Sequence, residues 1–234
     1  MCVYHQQRGD GLLIIILYID NITMMGPSLR DIKQLKSNLT KCYEITDLGE
    51  ISSYLGIHIT HDHSTKCLDI DQSGYIKDIL DCFGMTDTNP HNTPLPTGAD
   101  VYLIKNTGEA SQSEIKLYQS LIGSLLYIQL GTCPDISFAV SHLVQYAANP
   151  SNHHLCLAKY VLSYLAGSIN MHLCYNGING DGLHSYSDSS LADQTDDWHS
   201  TCSYVFLLAN GTISWATCKQ QTPAQNTTEA EYMC

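Results

Sequence analysis

A carboxylate and an amide, Asp20 and Asn21, stand at the polar end of the apolar run at residues 12–17, in the order Tyr18-Ile19-Asp20-Asn21. A carboxylate at the mouth of so apolar a strand is where a phosphoryl-transfer enzyme would hold a divalent ion. The two-metal form of that chemistry needs several carboxylates converging on ions about 3.5–4 Å apart. The same two residue types also cap turns, because their side chains fold back onto nearby backbone. Four residues leave both readings open. His58, His61 and His63, with Cys67 as a fourth donor, have ligand types suited to zinc; three solvated histidines at a hairpin tip is the simpler account. Asp193, Asp196 and Asp197 form an acidic patch beside Asp188, read first as a solvated loop. His153-His154 reads as the polar start of a helix. Trp198 and Trp215 read as packing aromatics, although an exposed Trp198 would be able to stack on a base.

The elements that must position these groups follow from hydrophobic period. Residues 12–17, continuous and rich in β-branched side chains, predict a strand buried on both faces, with Asp20 and Asn21 at the turn that follows. Ser28 is a helix N-cap ahead of Leu29, Ile32, Leu35 and Leu39 at helical spacing. Residues 51–60 and 67–70 alternate as a hairpin, residues 75–80 resume helical spacing, and the proline-bearing stretch 89–98 reads as a linker. From Tyr118 the pattern is helical: one helix carries Leu121, Leu125, Leu126 and Ile128, a second covers residues 136–146, and a third covers 155–165. Each has an apolar stripe, so the three are expected to pack together. The chain then returns to strands at 183–187, 204–208 and 212–216, with Asn210-Gly211 as a hairpin turn.

Composition bounds the function. At 234 residues and 44% hydrophobic content the chain can bury a real core. Its net charge of −12 works against nucleic-acid affinity, which comes mainly from Lys and Arg neutralising phosphates. Only Arg8 and Arg30 are arginines, against ten cysteines and eleven histidines. The cysteines are scattered singly, with no Cys-x-x-Cys pair, and are expected to be reduced thiols. There is no basic n-region with a cleavage site, and the longest apolar run is too short to span a membrane. An intracellular location, cytoplasmic or nuclear, and no membrane association are expected.

The order of segments resembles the reverse transcriptase to ribonuclease H part of copia-type retrotransposon polyproteins. Tyr18-Ile19-Asp20-Asn21 stands where that family has its Tyr-x-Asp-Asp box. Asp47-Leu48-Gly49-Glu50 and Tyr54-Leu55-Gly56-Ile57 follow, then Gly123-Ser124-Leu125-Leu126-Tyr127, Cys133-Pro134-Asp135-Ile136, and Ala158-Lys159 leading to Tyr164-Leu165. Tyr186-Ser187-Asp188, Ser200-Thr201, Ser214-Trp215 and Thr228-Glu229-Ala230-Glu231-Tyr232 resemble the opening of the family's ribonuclease H part.

The resemblance implies an α+β fold with a partial reverse transcriptase palm at residues 1–88, a helical thumb and connection region at 89–178, and a truncated ribonuclease H-like domain at 179–234. It implies Asp20 and Asn21 as the polymerase site positions and Asp188 and Glu231 as ribonuclease H positions, with Glu229 as the fallback for Glu231. Asp20, Asp188 and Glu231 are then the metal ligands, Mg²⁺ the cofactor, and an RNA or DNA template-primer or an RNA–DNA hybrid the partner. Asn21 departs from the family pattern, since an amide is neutral and brings no charge to a divalent ion. The family's other polymerase aspartate lies upstream of this box, and its later ribonuclease H acids lie downstream of Glu231. A catalytically inactive polyprotein fragment is therefore expected. The alternatives are a fragment of an intact, active polyprotein and a domesticated binding module.

Overall fold

The structure is a computed structural model that describes residues 2–8, 11–177, 182–191 and 198–234. It divides into two compact units, residues 1–52 and 53–234.

In the first unit, strands β1 (Cys2–Arg8), β2 (Gly11–Tyr18) and β3 (Asn21–Met25) form an antiparallel sheet in the order β1-β2-β3. Helix α1 (Leu29–Cys42) follows, and the Ser28 side chain accepts from the Asp31 amide at 3.3 Å, as its N-cap position predicts. The expectation that residues 12–17 are buried on both faces does not hold. Only Leu13 is buried and Leu12 is 42% exposed, and the neighbouring β1 is exposed along its whole length. A helix does not follow the turn directly either: β3 comes first.

The second unit opens with β4 (Ser53–Tyr54), β5 (Ile57–Asp62) and β6 (Cys67–Asp71), then α2 (Ser73–Cys82). Residues 89–98 carry no helix or strand. Helix α3 (Gln112–Gly131) starts at a capping box in which Ser111 and Glu114 satisfy each other's backbone amides. The predicted helix at 136–146 is broken into a 3₁₀ turn at Pro134–Ile136, helix α4 (Ser137–Leu143) and a second 3₁₀ turn at Val144–Tyr146. Helix α5 (Asn152–Gly167) completes the set. The three predicted helices do share one core, built on Tyr118, Leu125, Ile128, Val140, Leu143, Val161 and Leu162, and α2 joins it through Ile76, Ile79 and Leu80. His154 lies in that core at 0% exposure, stacked on Tyr146 at 4.0 Å, so the first turn of α5 is less polar than its sequence suggests.

Strand β7 (Leu173–Asn176) returns to the edge of β6, giving the order β4-β5-β6-β7. Strands β8 (His184–Ser190), β9 (Thr201–Leu208) and β10 (Gly211–Lys219) form a third sheet in the order β10-β9-β8, and α6 (Thr227–Met233) packs on β8. All the strand pairings are antiparallel. Helix-rich and strand-rich stretches are segregated along the chain, which makes the fold α+β. The predicted Asn210-Gly211 turn is displaced by one residue. Leu208 pairs with Gly211, leaving Ala209 and Asn210 as a two-residue loop with φ of 52° and 64°. Gly211 is required for packing instead, since a Cβ there would come within 2.4 Å of Cδ1 of Tyr175.

The cysteines are not all reduced: Cys202 on β9 and Cys234 form a disulfide. Their 32-residue separation holds no motif, and only the docking of α6 brings them together. Among the described residues no helix is long and apolar enough to cross a membrane.

Candidate functional site

The β2–β3 connection is a two-residue turn. Tyr18 pairs with Asn21 across the sheet, so Ile19 and Asp20 form the tip and Asn21 opens β3. The turn reading holds, since the carboxylate and amide sit on a hairpin turn at the end of an apolar strand. Ile19 has φ of 51° and is 77% exposed. A β-branched residue rarely adopts this left-handed conformation, at a cost on the order of 1–3 kcal/mol. Nothing in the residue order announces that strain, although two residues between an apolar run and Ile-Thr-Met-Met was a readable hairpin signal.

Asp188 lies on β8, an edge strand, opposite Ser203 of β9. Glu231 lies on α6, where Asn226 caps the helix by accepting from the Glu229 amide at 2.9 Å. The Glu229 carboxylate accepts from the Gln225 amide at 2.8 Å, which commits it to the helix start. Ala230, at 0% exposure, is the helix's buried contact, and its carbonyl accepts from Gln220 Nε2 at 2.8 Å. The sulfur of Cys234 is 3.1 Å from the Asp188 carbonyl oxygen. The disulfide holds α6 to the side of the sheet that Cys202 and its neighbour Ser189 share. Strand alternation turns Asp188 to the other side. The structure packs the helix that carries Glu231 against the strand that carries Asp188.

The implied divalent ion can be tested against these donor sets. Asp20 and Asn21 provide one anionic oxygen donor and one neutral one, short of the converging carboxylates a two-metal site needs. Among the described residues, no group of three Asp, Glu, His or Cys ligand atoms includes Asp20, Asp188 or Glu231. The residues do not fit the ion as they stand.

The other candidates resolve as follows. His58 is not at the hairpin tip; its Nδ1 meets the Asp71 carboxylate at 2.9 Å. Hydrogen bonds from Ser73 and His58 lower the Asp71 pKa against the opposing effect of its partial burial. His61 and His63 are exposed, with ring centroids 4.0 Å apart. Trp215 packs as expected, its indole N–H donating to the Gln129 carbonyl of α3. Trp198 does not: it is 69% exposed. Asp193, Asp196 and Asp197 lie outside the described residues.

Comparison with known proteins settles the family. The model of the family "Reverse transcriptase (RNA-dependent DNA polymerase)" matches residues 1–97. The chain is 32% identical over 236 residues to the retrovirus-related Pol polyprotein from transposon TNT 1-94 of Nicotiana tabacum, covering 99% of this chain and 18% of that one. It is 33% identical over 226 residues to the retrovirus-related Pol polyprotein from transposon RE1 of Arabidopsis thaliana, covering 97% and 15%. It therefore spans less than a fifth of the length of these two relatives. A putative transposon Ty5-1 protein of Saccharomyces cerevisiae is 31% identical over 233 residues, 99% of this chain and 74% of that one. No solved structure matches. With its Tyr18-to-Asn21 hairpin inside the matched region and similarity along 99% of its length to the yeast transposon protein, the chain belongs to the reverse transcriptase family of copia-type transposon Pol polyproteins.

Proposed function

We propose that this chain is the reverse transcriptase to ribonuclease H stretch of a copia-type Pol polyprotein and is catalytically silent as it stands. Residues 1–88 belong to the palm, 89–178 to the thumb and connection, and 179–234 to a ribonuclease H-like part. The observation that carries the reading is the β2–β3 turn, which presents the polymerase box with a single carboxylate, Asp20, beside the amide of Asn21. In the third part, three antiparallel strands with Asp188 on the first, followed by a helix bearing Glu231, support the ribonuclease H-like assignment. Asp20, Asp188 and Glu231 stand at the family's metal-ligand positions, without the converging donors that would hold Mg²⁺.

The test is primer extension on an RNA template with the purified chain and Mg²⁺ or Mn²⁺, beside Asp20→Ala and Asn21→Asp variants. No extension by the folded native chain is expected. Extension that Asp20→Ala abolishes would overturn the silent reading.

A nucleic-acid-binding role has one observation in its favour. Residues 1–52 hold five of the eleven basic and six of the 23 acidic residues, a net charge of −1, which leaves −11 for residues 53–234. Arg30, Lys33 and Lys41 are exposed on α1. Template-primer or hybrid binding therefore belongs to the first unit, where the net charge does not oppose it. Affinity for an RNA–DNA hybrid that falls with salt, and falls further in an Arg30→Glu/Lys33→Glu variant, is expected of this role. Salt-independent binding would remove it.

A further inference from the structure

We propose that Cys67, Asp69, His172 and Cys174 form a site for a thiophilic divalent cation, Zn²⁺ by ligand type, on one face of the β6–β7 pair. Register assembles the donors. Cys67, Asp69 and Asp71 alternate onto one face of β6. Cys174 pairs with Asp69, so Cys174 and His172, two residues before it, project to the same side. The opposite face carries Leu68, Ile70, Leu173 and Tyr175, so the two strands separate apolar side chains from ligand-bearing ones.

The distances suit a small tetrahedral site. The Sγ atoms of Cys67 and Cys174 are 2.9 Å apart, and Oδ1 of Asp69 is 3.8 Å from Cys67 Sγ. The ligand atoms of these three residues all lie within 4.8 Å of one another. Metal–ligand bonds of about 2.0–2.3 Å at the tetrahedral angle put ligand atoms roughly 3.3–3.8 Å apart, so the thiols need only spread by under about 1 Å. His172 lies beside this trio rather than within it and would have to turn to supply the fourth donor. Its Nε2 is 3.8 Å from the Asp69 carboxylate, and its Nδ1 is 3.3 Å from the Asn170 carbonyl oxygen. A ring that donates Nδ1–H to a backbone carbonyl holds Nε2 as the lone-pair nitrogen, the arrangement that orients ligating histidines.

Two thiols and a carboxylate crowd together, and a bound cation relieves the crowding as it displaces the thiol protons. The ion would fasten together positions 107 residues apart in sequence. Strand β7 is itself bonded to the last sheet, since the Asn176 amide donates to Ala209 O at 2.8 Å and the Tyr175 hydroxyl donates to Thr212 O at 2.7 Å. A filled site therefore anchors the β7 contact on which the β9–β10 hairpin rests.

The test uses the full chain, kept reduced and metal-free, titrated with Co²⁺ and then Zn²⁺. One equivalent of Co²⁺ should give thiolate-to-metal absorption that Zn²⁺ bleaches. A Cys67→Ser/Cys174→Ser variant should lose it and a Cys42→Ser/Cys218→Ser control should keep it, while Asp69→Asn or His172→Ala should weaken Co²⁺ affinity at least tenfold. An unchanged spectrum in the Cys67→Ser/Cys174→Ser variant would overturn the site. Should that variant fail to fold, alkylation of the native chain decides. Stoichiometric Zn²⁺ should protect Cys67 and Cys174 but not Cys42 and Cys218. Equal alkylation of all four, or a Cys67–Cys174 disulfide forming despite Zn²⁺, would overturn the proposal.

Discussion

The indole nitrogen of Trp215 donates to the backbone carbonyl of Gln129 at 2.9 Å, joining β10 to α3 across 86 residues of sequence. Trp215 is half-buried at this junction, whereas Trp198, the other tryptophan, is 69% exposed. A Trp198→Phe chain should emit at blue-shifted wavelengths and a Trp215→Phe chain at the wavelength of solvated indole. Trp215→Phe also removes one hydrogen bond at a packed contact and should cost about 1–3 kcal/mol in denaturant unfolding. Equal emission maxima from the two variants would contradict the docking of β10.

Ile19 holds a left-handed backbone at the tip of the Asp20 hairpin while burying little of its side chain. Asn tolerates that conformation far better. Ile19→Asn should therefore stabilise the chain by about 1 kcal/mol, read as a higher denaturant midpoint at unchanged slope. A lower midpoint would mean that Ile19 makes contacts outweighing its strain.

What the sequence discloses and what it conceals divide along local and non-local lines. Ser28, Ser111 and the apolar spacing of Leu121, Leu125 and Ile128 are local signals, and α1 and α3 stand where those signals place them. Strand β1 alternates nothing because both its faces are exposed, and the four residues of β7 acquire meaning only when paired with β6. Cys202 and Cys234, like Cys67 and Cys174, carry no spacing motif; packing alone makes them neighbours. At the candidate site, Asp20 and Asn21 were readable as a box on a turn. The docking of α6, which carries Glu231, on the strand of Asp188 depends on strand register and a disulfide, which no run of adjacent residues encodes.

Reduction of Cys202–Cys234 should release α6 from β9. Closing a loop of this 32-residue separation constrains the unfolded chain by on the order of 3–4 kcal/mol, an upper figure where only the last sheet responds. Amide hydrogen exchange with and without reductant should show faster exchange in α6 and β8, with α3 and α5 unchanged. Uniform acceleration throughout would mean that the C-terminal sheet and the helical core unfold as one cooperative unit.

Tyr118, at 0% exposure, donates its hydroxyl to the Leu143 carbonyl at 2.8 Å inside the helical core. Burial, with the neighbouring Tyr146 adding to it, holds the phenol pKa far above its ordinary value. A folded pKa raised in this way favours the protonated state, so the contribution to stability is complete below the unfolded value of about 10 and is lost as pH rises beyond it. Tyr118→Phe should cost about 1 kcal/mol at neutral pH, through the lost hydrogen bond and the stranded Leu143 carbonyl. Above pH of about 10 the native chain should lose stability more steeply than the variant, because only the native chain has this buried phenol to ionise on unfolding. Tyr164, pushed up to about 12 by partial burial and by its hydrogen bond to Asp135, remains in both chains and cancels from the comparison. Parallel pH profiles for the two chains would show that the Tyr118 phenol is open to solvent.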